Sequence, residues 1–213
     1  MLKIIYEDNH LLVVEKPSGL PTQPSEHSDD SLEEQAKHWM KTKYNKRGQV
    51  FLHAVHRLDK DASGIVVFSK TSKALSRLND AIRKKLVSKL YLAWVEGTPP
   101  LKEGTLENFL LHDDFKANVV SATAKGAKVA RMHYRIIKKK EKQTLLEIDL
   151  ETGRYHQIRI QLAAVGCPIV GDVKYGSKQR FWHEGIALHH AKMCLPHPVS
   201  GEMLTFESPD HQQ

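Results

Sequence analysis

Four runs of strand-like residues follow one another from Lys89 to Leu150 with no helical pattern between them. They are Lys89 to Glu96, Thr105 to Leu111, Val129 to Ile137 and Thr144 to Leu150. In the last, Thr144, Leu146, Ile148 and Leu150 point one way and Glu147 and Asp149 the other, the period of two that marks a half-buried strand. Strands that succeed one another without intervening helices argue against a doubly wound sheet. The expected class is α+β, with a mixed, largely antiparallel central sheet and flanking helices and loops.

The flanking segments fit that class. Lys3 to Tyr6 and Leu11 to Val14 are strand-like and separated by Asp8-Asn9, which predicts a hairpin. Lys16-Pro17-Ser18-Gly19 breaks the second strand, and Pro21 through Asp30 reads as an irregular loop. Ser31 with Glu34 makes a capping box for a helix to about Tyr44, carrying Leu32, Ala36, Trp39 and Met40 on one face. Ser72 to Lys85 predicts an amphipathic helix through Leu75, Leu78 and Ile82. A third helix through Ile158, Leu162 and Val165 should stop at Gly166 and Pro168, and short strands are expected near Ile186 to His190 and Met203 to Phe206. With no repeat, linker or low-complexity tract, one domain over 1–213 is the simplest organisation.

Composition narrows the partners. Lys and Arg number 32 against 25 Asp and Glu, a net charge of +7, which favours a polyanion such as RNA or DNA. The two cysteines, Cys167 and Cys194, form no disulfide framework and suit a reducing interior. The N-terminus lacks the features of a signal peptide, and no apolar run is long enough to span a bilayer, so a cytoplasmic protein without membrane partners is expected.

Chemistry concentrates at His56-Arg57-Leu58-Asp59-Lys60-Asp61-Ala62-Ser63-Gly64, immediately before the apolar run Ile65 to Phe68. A carboxylate at a strand entrance can be held rigidly with its oxygens accessible, and a nearby cation would keep it ionised. Taken alone, the Arg-Leu-Asp triplet is better read as a salt-bridged loop capping a strand; its neighbours change that. Four further blocks accompany this one: Tyr6 to Leu20 with Lys16-Pro17-Ser18-Gly19, Lys89 to Gly97, Leu150 to Gly176 with Gly153-Arg154-Tyr155-His156-Gln157-Ile158-Arg159, and Leu188 to Pro198. In this order they resemble the RluA-type family of RNA pseudouridine synthases.

That resemblance implies the pseudouridine synthase fold and a cofactor-independent, metal-free isomerisation of uridine in tRNA or ribosomal RNA. It implies that Asp59 is the catalytic aspartate, either attacking C1′ or abstracting the C2′ proton. Tyr91 would stack on the target base and assist loss of the C5 proton, and Arg159 would pair with Asp59. Arg57 would assist base flipping, with a simple ion pair as the equal alternative; Arg154 would contact phosphate or brace its loop. No Walker A loop, dinucleotide fingerprint or CxxC pair is present. An N-terminal S4-like RNA-binding domain, frequent in the family, is not expected, since the first catalytic strand starts at residue 3.

Some positions depart from the family pattern: Ala62 where threonine is common, Tyr155 in place of a small residue, Gln161 for a frequent histidine and Cys167 for another. These bear on specificity more than on chemistry. His189, His190, Cys194 and His197 are metal-ligand types, but adjacent strand residues point to opposite faces, which argues against a convergent tetrahedral site. Arg83-Lys84-Lys85 and Lys138-Lys139-Lys140 are solvated faces or phosphate tracks. The main rival is a non-catalytic RNA-binding protein on the same fold; the oligomeric state is not encoded legibly, and a monomer is favoured.

Overall fold

The first turn forms where its chemistry places it, with the Asp8 carboxylate accepting backbone N–H bonds from His10 and Leu11, both at 2.7 Å. The computed structural model describes residues 2–24, 30–113, 115–181 and 184–209. Its elements are β1 (Lys3–Glu7), β2 (Leu11–Lys16), α1 (Leu32–Lys43), β3 (His53–Ala54), β4 (Ser63–Ser69), α2 (Ser72–Arg83), β5 (Ser88–Glu96) and β6 (Glu103–His112). They continue with β7 (Ala117–Val120), β8 (Lys128–Lys140), β9 (Gln143–Leu150), α3 (Gln157–Ala164), a single 3₁₀ turn (Val173–Tyr175), β10 (Leu188–Pro196) and β11 (Met203–Glu207). No described helix is long and apolar enough to cross a membrane. Backbone contacts divide the chain into two compact units.

The first unit comprises Met1–Ser88 and His190–Pro209. Its strand order is β1, β2, β4, β10, β11, with β3 also pairing β4. Residues 11–14 and 65–68 are fully buried, so β2 and β4 are covered on both faces. Their antiparallel register sets Val13 opposite Val67, which stacks like side chains on like faces. On one face Leu11, Val13, Ile65 and Val67 join Leu78 of α2, Met193, Leu195 and Phe206 in one apolar cluster. Each such fully buried aliphatic contributes about 1.5–3 kcal/mol.

Helix α1 begins at the expected cap, and α2 begins at Thr71, a cap the sequence reading did not name. Ser31 accepts from the Glu34 N–H at 3.3 Å, while the Glu34 carboxylate pairs with Lys37 at 2.8 Å. Thr71 caps α2 through the Ala74 N–H at 3.2 Å. The loop expected over Pro21 to Asp30 carries no helix or strand where it is described, and its residues 25–29 lie outside the described residues.

The second unit is built on Lys89–His189. Its sheet runs β5, β9, β8, β6, β7, every neighbouring pair antiparallel, as the succession of strand-like runs requires. Leu146 and Ile148 of β9, Ala130 and Met132 of β8 and Leu162 of α3 are fully or almost fully buried and form its interior. Helix α3 docks on the β6–β7 hairpin. Its Gln161 side chain donates to Asn108 Oδ1 at 2.9 Å and to the Leu106 carbonyl at 3.1 Å, tying it to β6.

Some details differ from the sequence expectations. The strand expected over Ile186 to His190 starts at Leu188 and continues to Pro196. Pro196 is tolerated because it closes the ladder at the last pair, opposite Met203, beside a turn in which the His197 N–H bonds the Glu202 carbonyl at 2.8 Å. Strands β3 and β7 were not foreseen, since two and four residues show too little alternation to announce a strand.

Candidate active site

Asp59 sits in the irregular segment between β3 and β4, half-buried, with exposed Arg57 and buried Leu58 before it. The backbone around it is pinned from both sides. Thr22 Oγ1 accepts the Leu58 N–H at 3.1 Å and donates to the Leu58 carbonyl at 2.9 Å. The Lys60 carbonyl receives the Gly19 N–H at 2.9 Å and the Lys16 ammonium at 2.9 Å. Ser18 Oγ donates to the Asp61 carbonyl, and the Ala62 N–H closes a turn on the Asp59 carbonyl at 3.2 Å. The Lys16-Pro17-Ser18-Gly19 turn thus serves as a clamp on the Asp59 loop, a long-range role that its local sequence does not announce.

Lys16 is the charged member of that clamp. Its side chain is fully buried, and its ammonium reaches three carbonyls, those of Leu20 at 2.7 Å and of Pro17 and Lys60 at 2.9 Å. An ammonium has three N–H donors, so the three acceptors satisfy it. Burial drives its pKa down to about 7, against the opposing pull of the Asp59 and Asp61 charges.

Behind the loop, Gly64 has φ +115°, and a Cβ there would run into the backbone of His190. This is a close backbone approach that only glycine permits. The His190 Nδ1–H donates to the Ile65 carbonyl at 2.8 Å, and its ring meets His56 edge-on at 5.3 Å. His56 Nε2 in turn accepts the Val67 N–H at 3.3 Å, which fixes the first residue of the motif on β4.

In the second unit Tyr91 lies buried on β5, opposite Ile148 of β9. Arg159 lies on α3, 3% exposed, and its Nε and terminal nitrogen grip the two oxygens of Asp172 at 2.7 and 2.8 Å. Its other terminal nitrogen lies 3.1 Å from His156 Nε2. A guanidinium only donates, so Nε2 accepts and the His156 ring is neutral with its proton on Nδ1, 2.9 Å from the Tyr175 hydroxyl. That hydroxyl also accepts the Ala117 N–H at 2.9 Å, which anchors the chain from α3 through the 3₁₀ turn to β7. His156 has φ +51°, and this left-handed backbone stands immediately before α3.

Arg154 braces its own loop. Its Nε donates to the Val129 carbonyl at 2.9 Å, and its N–H bonds Gln157 Oε1 at 3.0 Å. Gln157 also receives Thr152 Oγ1 at 2.7 Å and donates to the Arg131 carbonyl at 3.1 Å, securing the Gly153 block to β8. Among the candidate metal-ligand types, His197 pairs with Asp8 at 2.9 Å and Cys194 contacts Thr205 Oγ1 at 3.4 Å. Among the described residues no three His, Cys, Asp or Glu side chains are grouped as ligands for a cation.

Of the residues singled out from sequence, Arg57 and Asp59 lie on one pinned loop, Tyr91 lies on β5 and Arg159 on α3 of the second unit, and Arg154 lies in the loop before α3. Sequence reasoning missed Lys16, Thr22, Asp172 and Tyr175, each of which has a partner far from it in sequence. A lysine closing strand β2 directly after Glu15 and the apolar run Leu11 to Val14 is the one local sign of a buried cation.

A family model described as RNA pseudouridylate synthase matches residues 10–164. An uncharacterized RNA pseudouridine synthase of Bacillus subtilis, YhcT, is 35% identical over 98% of this chain and 68% of its own length. The ribosomal large subunit pseudouridine synthase D of Nitrosomonas europaea is 35% identical over 98% of this chain and 62% of its own. The structure of human RNA pseudouridylate synthase domain containing 4 superposes with a TM-score of 0.80 at 24% identity, covering 97% of this chain and 88% of that one, a likeness of fold. On the family match and these sequence relatives, the chain belongs to the RNA pseudouridine synthase family of isomerases, in its RluA-type branch.

Proposed function

We propose that this protein converts a specific uridine to pseudouridine in a stem-loop of tRNA or ribosomal RNA, with Asp59 as the catalytic carboxylate. The N1–C1′ bond breaks, the uracil turns, and a C5–C1′ bond forms while C5 gives up a proton and N1 gains one. The isomerisation is balanced within the nucleotide, so it calls for no redox or nucleotide cofactor. Tyr91 is assigned to the target base and the C5 proton, and Arg159 to holding the Asp59 carboxylate ionised. Arg57, exposed two residues before Asp59, is assigned to the flipped base's vacated place in the stem, and Arg154 to the nearby phosphates. The family model spans parts of both compact units, and we take the two together as one catalytic domain.

The observation that carries this reading is the tethering of Leu58, Lys60 and Asp61 by Thr22, Lys16, Gly19 and Ser18, which fixes the backbone on either side of Asp59. A loop that merely capped a strand would have no need of a buried lysine and a buried threonine to hold three peptide groups in so short a stretch. Preorganisation of this kind is what a reacting carboxylate requires.

The test is pseudouridine mapping across the RNA of cells that lack the gene and are complemented with wild type or Asp59→Asn. Wild type should restore one or a few sites and the variant none, although it accumulates as folded protein. Restoration by Asp59→Asn would remove Asp59 as catalyst. If wild type modifies no RNA yet binds it, the protein is a non-catalytic RNA-binding member of the fold.

A further inference from the structure

The second unit carries a ladder of aromatic rings that the proposed chemistry does not use. At its base is His156, buried and unable to turn, because both ring nitrogens are engaged, one with Tyr175 and one with Arg159. Tyr155 lies flat on it, with ring centroids 3.8 Å apart and planes 17° from parallel. His112, at the end of β6, meets Tyr155 at 4.1 Å and 54°. The outer two rings reach solvent, Tyr155 with 38% of its surface exposed.

Tyr155 and His112 line a cleft of about 340 Å³ together with Leu111, Gly126, Lys128 and Arg154. That volume is at the lower end of the ~300–1,000 Å³ typical of ligand sites. Lys128 and Arg154 bring two cations, and no carboxylate is among the described residues lining the cleft. The Arg154 Nε bond to the Val129 carbonyl fixes where its guanidinium sits. Gly126 keeps the cleft open with φ +85°, and a Cβ there would already meet Leu111 at 3.4 Å.

A π surface flanked by two cations, with no carboxylate among its described lining residues, is the chemistry of a nucleotide seat. The base stacks on the rings, and its phosphates meet the lysine and arginine. Tyr155 stands where the family pattern has a small residue, so such a seat depends on a side chain particular to this sequence. We propose that the Tyr155–His112 cleft binds a nucleotide of the RNA substrate other than the isomerised uridine, and that Tyr155 helps to determine which RNA is chosen. This rests on the proposed RNA substrate but not on the identity of the catalyst.

The experiment measures fluorescence anisotropy of a labelled pentaadenylate RNA, which contains no uridine to isomerise, with the full-length protein at low salt. Stacking of one base is worth about 1–3 kcal/mol, so Tyr155→Ser and Tyr155→Leu should each weaken binding about 5- to 150-fold. Tyr155→Phe should bind within about twofold of wild type. Leucine still covers His156 without a π face, so its loss of affinity separates stacking from simple packing, and it serves if the serine variant does not fold. Lys128→Ala should weaken binding and flatten its salt dependence. Wild-type affinity in Tyr155→Leu, or no saturable binding by wild type, overturns the proposal. If Tyr155 governs oligonucleotide binding in a protein that makes no pseudouridine, the seat stands and the enzymatic reading falls. If pseudouridine is made and Tyr155 is indifferent, the seat alone falls.

Discussion

Asp59 owes its position to residues that touch its neighbours. Thr22 satisfies both polar groups of the buried Leu58 with one hydroxyl, at 2.9 and 3.1 Å. Thr22→Val keeps the shape and removes both bonds, so unfolding free energy should fall by about 1–3 kcal/mol in chemical denaturation. Turnover should fall further than substrate binding, because the carboxylate loses its setting while Arg57 and the surface cations keep theirs. An unchanged kcat in a destabilised Thr22→Val protein would show that the tether is structural only. Lys16 makes a prediction in pH. Its folded pKa of about 7 lies below the ordinary 10.5, so between those values the unfolded chain holds a proton that the folded chain has released. The stability difference between wild type and Lys16→Met should therefore be flat below about pH 7 and shift in favour of wild type as pH rises toward 10.5. Melting temperatures of the two proteins across that range measure it; a shift in the opposite direction would contradict the assigned pKa. A sequence shows the lysine, but its three carbonyl partners come from residues 17, 20 and 60 and become visible only in the fold.

Helix α3 shows how much an element depends on what it meets. Eight residues without a side-chain cap would be marginal in isolation. It is held instead by Gln161 on β6 and by the Arg159–Asp172 pair, whose side chains are 3% and 1% exposed. A buried pair of this kind is costly to break, since removing one partner strands the other charge. Asp172→Ala should cost about 3–5 kcal/mol, and Arg159→Met combined with Asp172→Leu should recover much of that stability. Denaturant titrations of the two single variants and the double variant close the cycle; additive losses would mean the pair does not act as a unit. The helix itself was legible from Ile158 and Leu162, and so was its stop before Gly166, because periodicity and glycine are local signals. The Asp172 partner was not, because it lies 13 residues from Arg159 and beyond the end of the helix. Strand β10 was foreseen too short for a related reason: its register is set by the β11 ladder out to Pro196, not by its own composition.

Over the whole molecule the excess of cations, +7 in net charge, should govern how RNA is first captured. Lys138, Lys139 and Lys140 end β8 as an exposed run, and Lys84 and Arg83 project from the end of α2 while sharing Asp80 at 2.8 and 3.3 Å. Exposed pairs of that sort add little to stability. Replacing the three β8 lysines with alanine should leave the melting temperature nearly unchanged and weaken RNA binding. The slope of log K against log salt should become shallower by roughly one unit for each phosphate that is no longer neutralised. Filter binding across a salt series reads both effects, and an unaltered slope would place the RNA elsewhere on the surface.

The succession of strands in the second half, the Asp8-Asn9 turn, the Ser31 cap and the family motifs were written in the sequence. Each depends on spacing of a few residues or on the chemistry of a single cap or turn, and the succession of strands from Lys89 to Leu150 left little choice but antiparallel pairing. The clamp on Asp59, the partner of Arg159, the neutral tautomer of His156 and the cleft beside Tyr155 were decided by tertiary structure. Each of these brings together groups separated in sequence, and a buried polar atom takes whichever complementary group the fold carries to it.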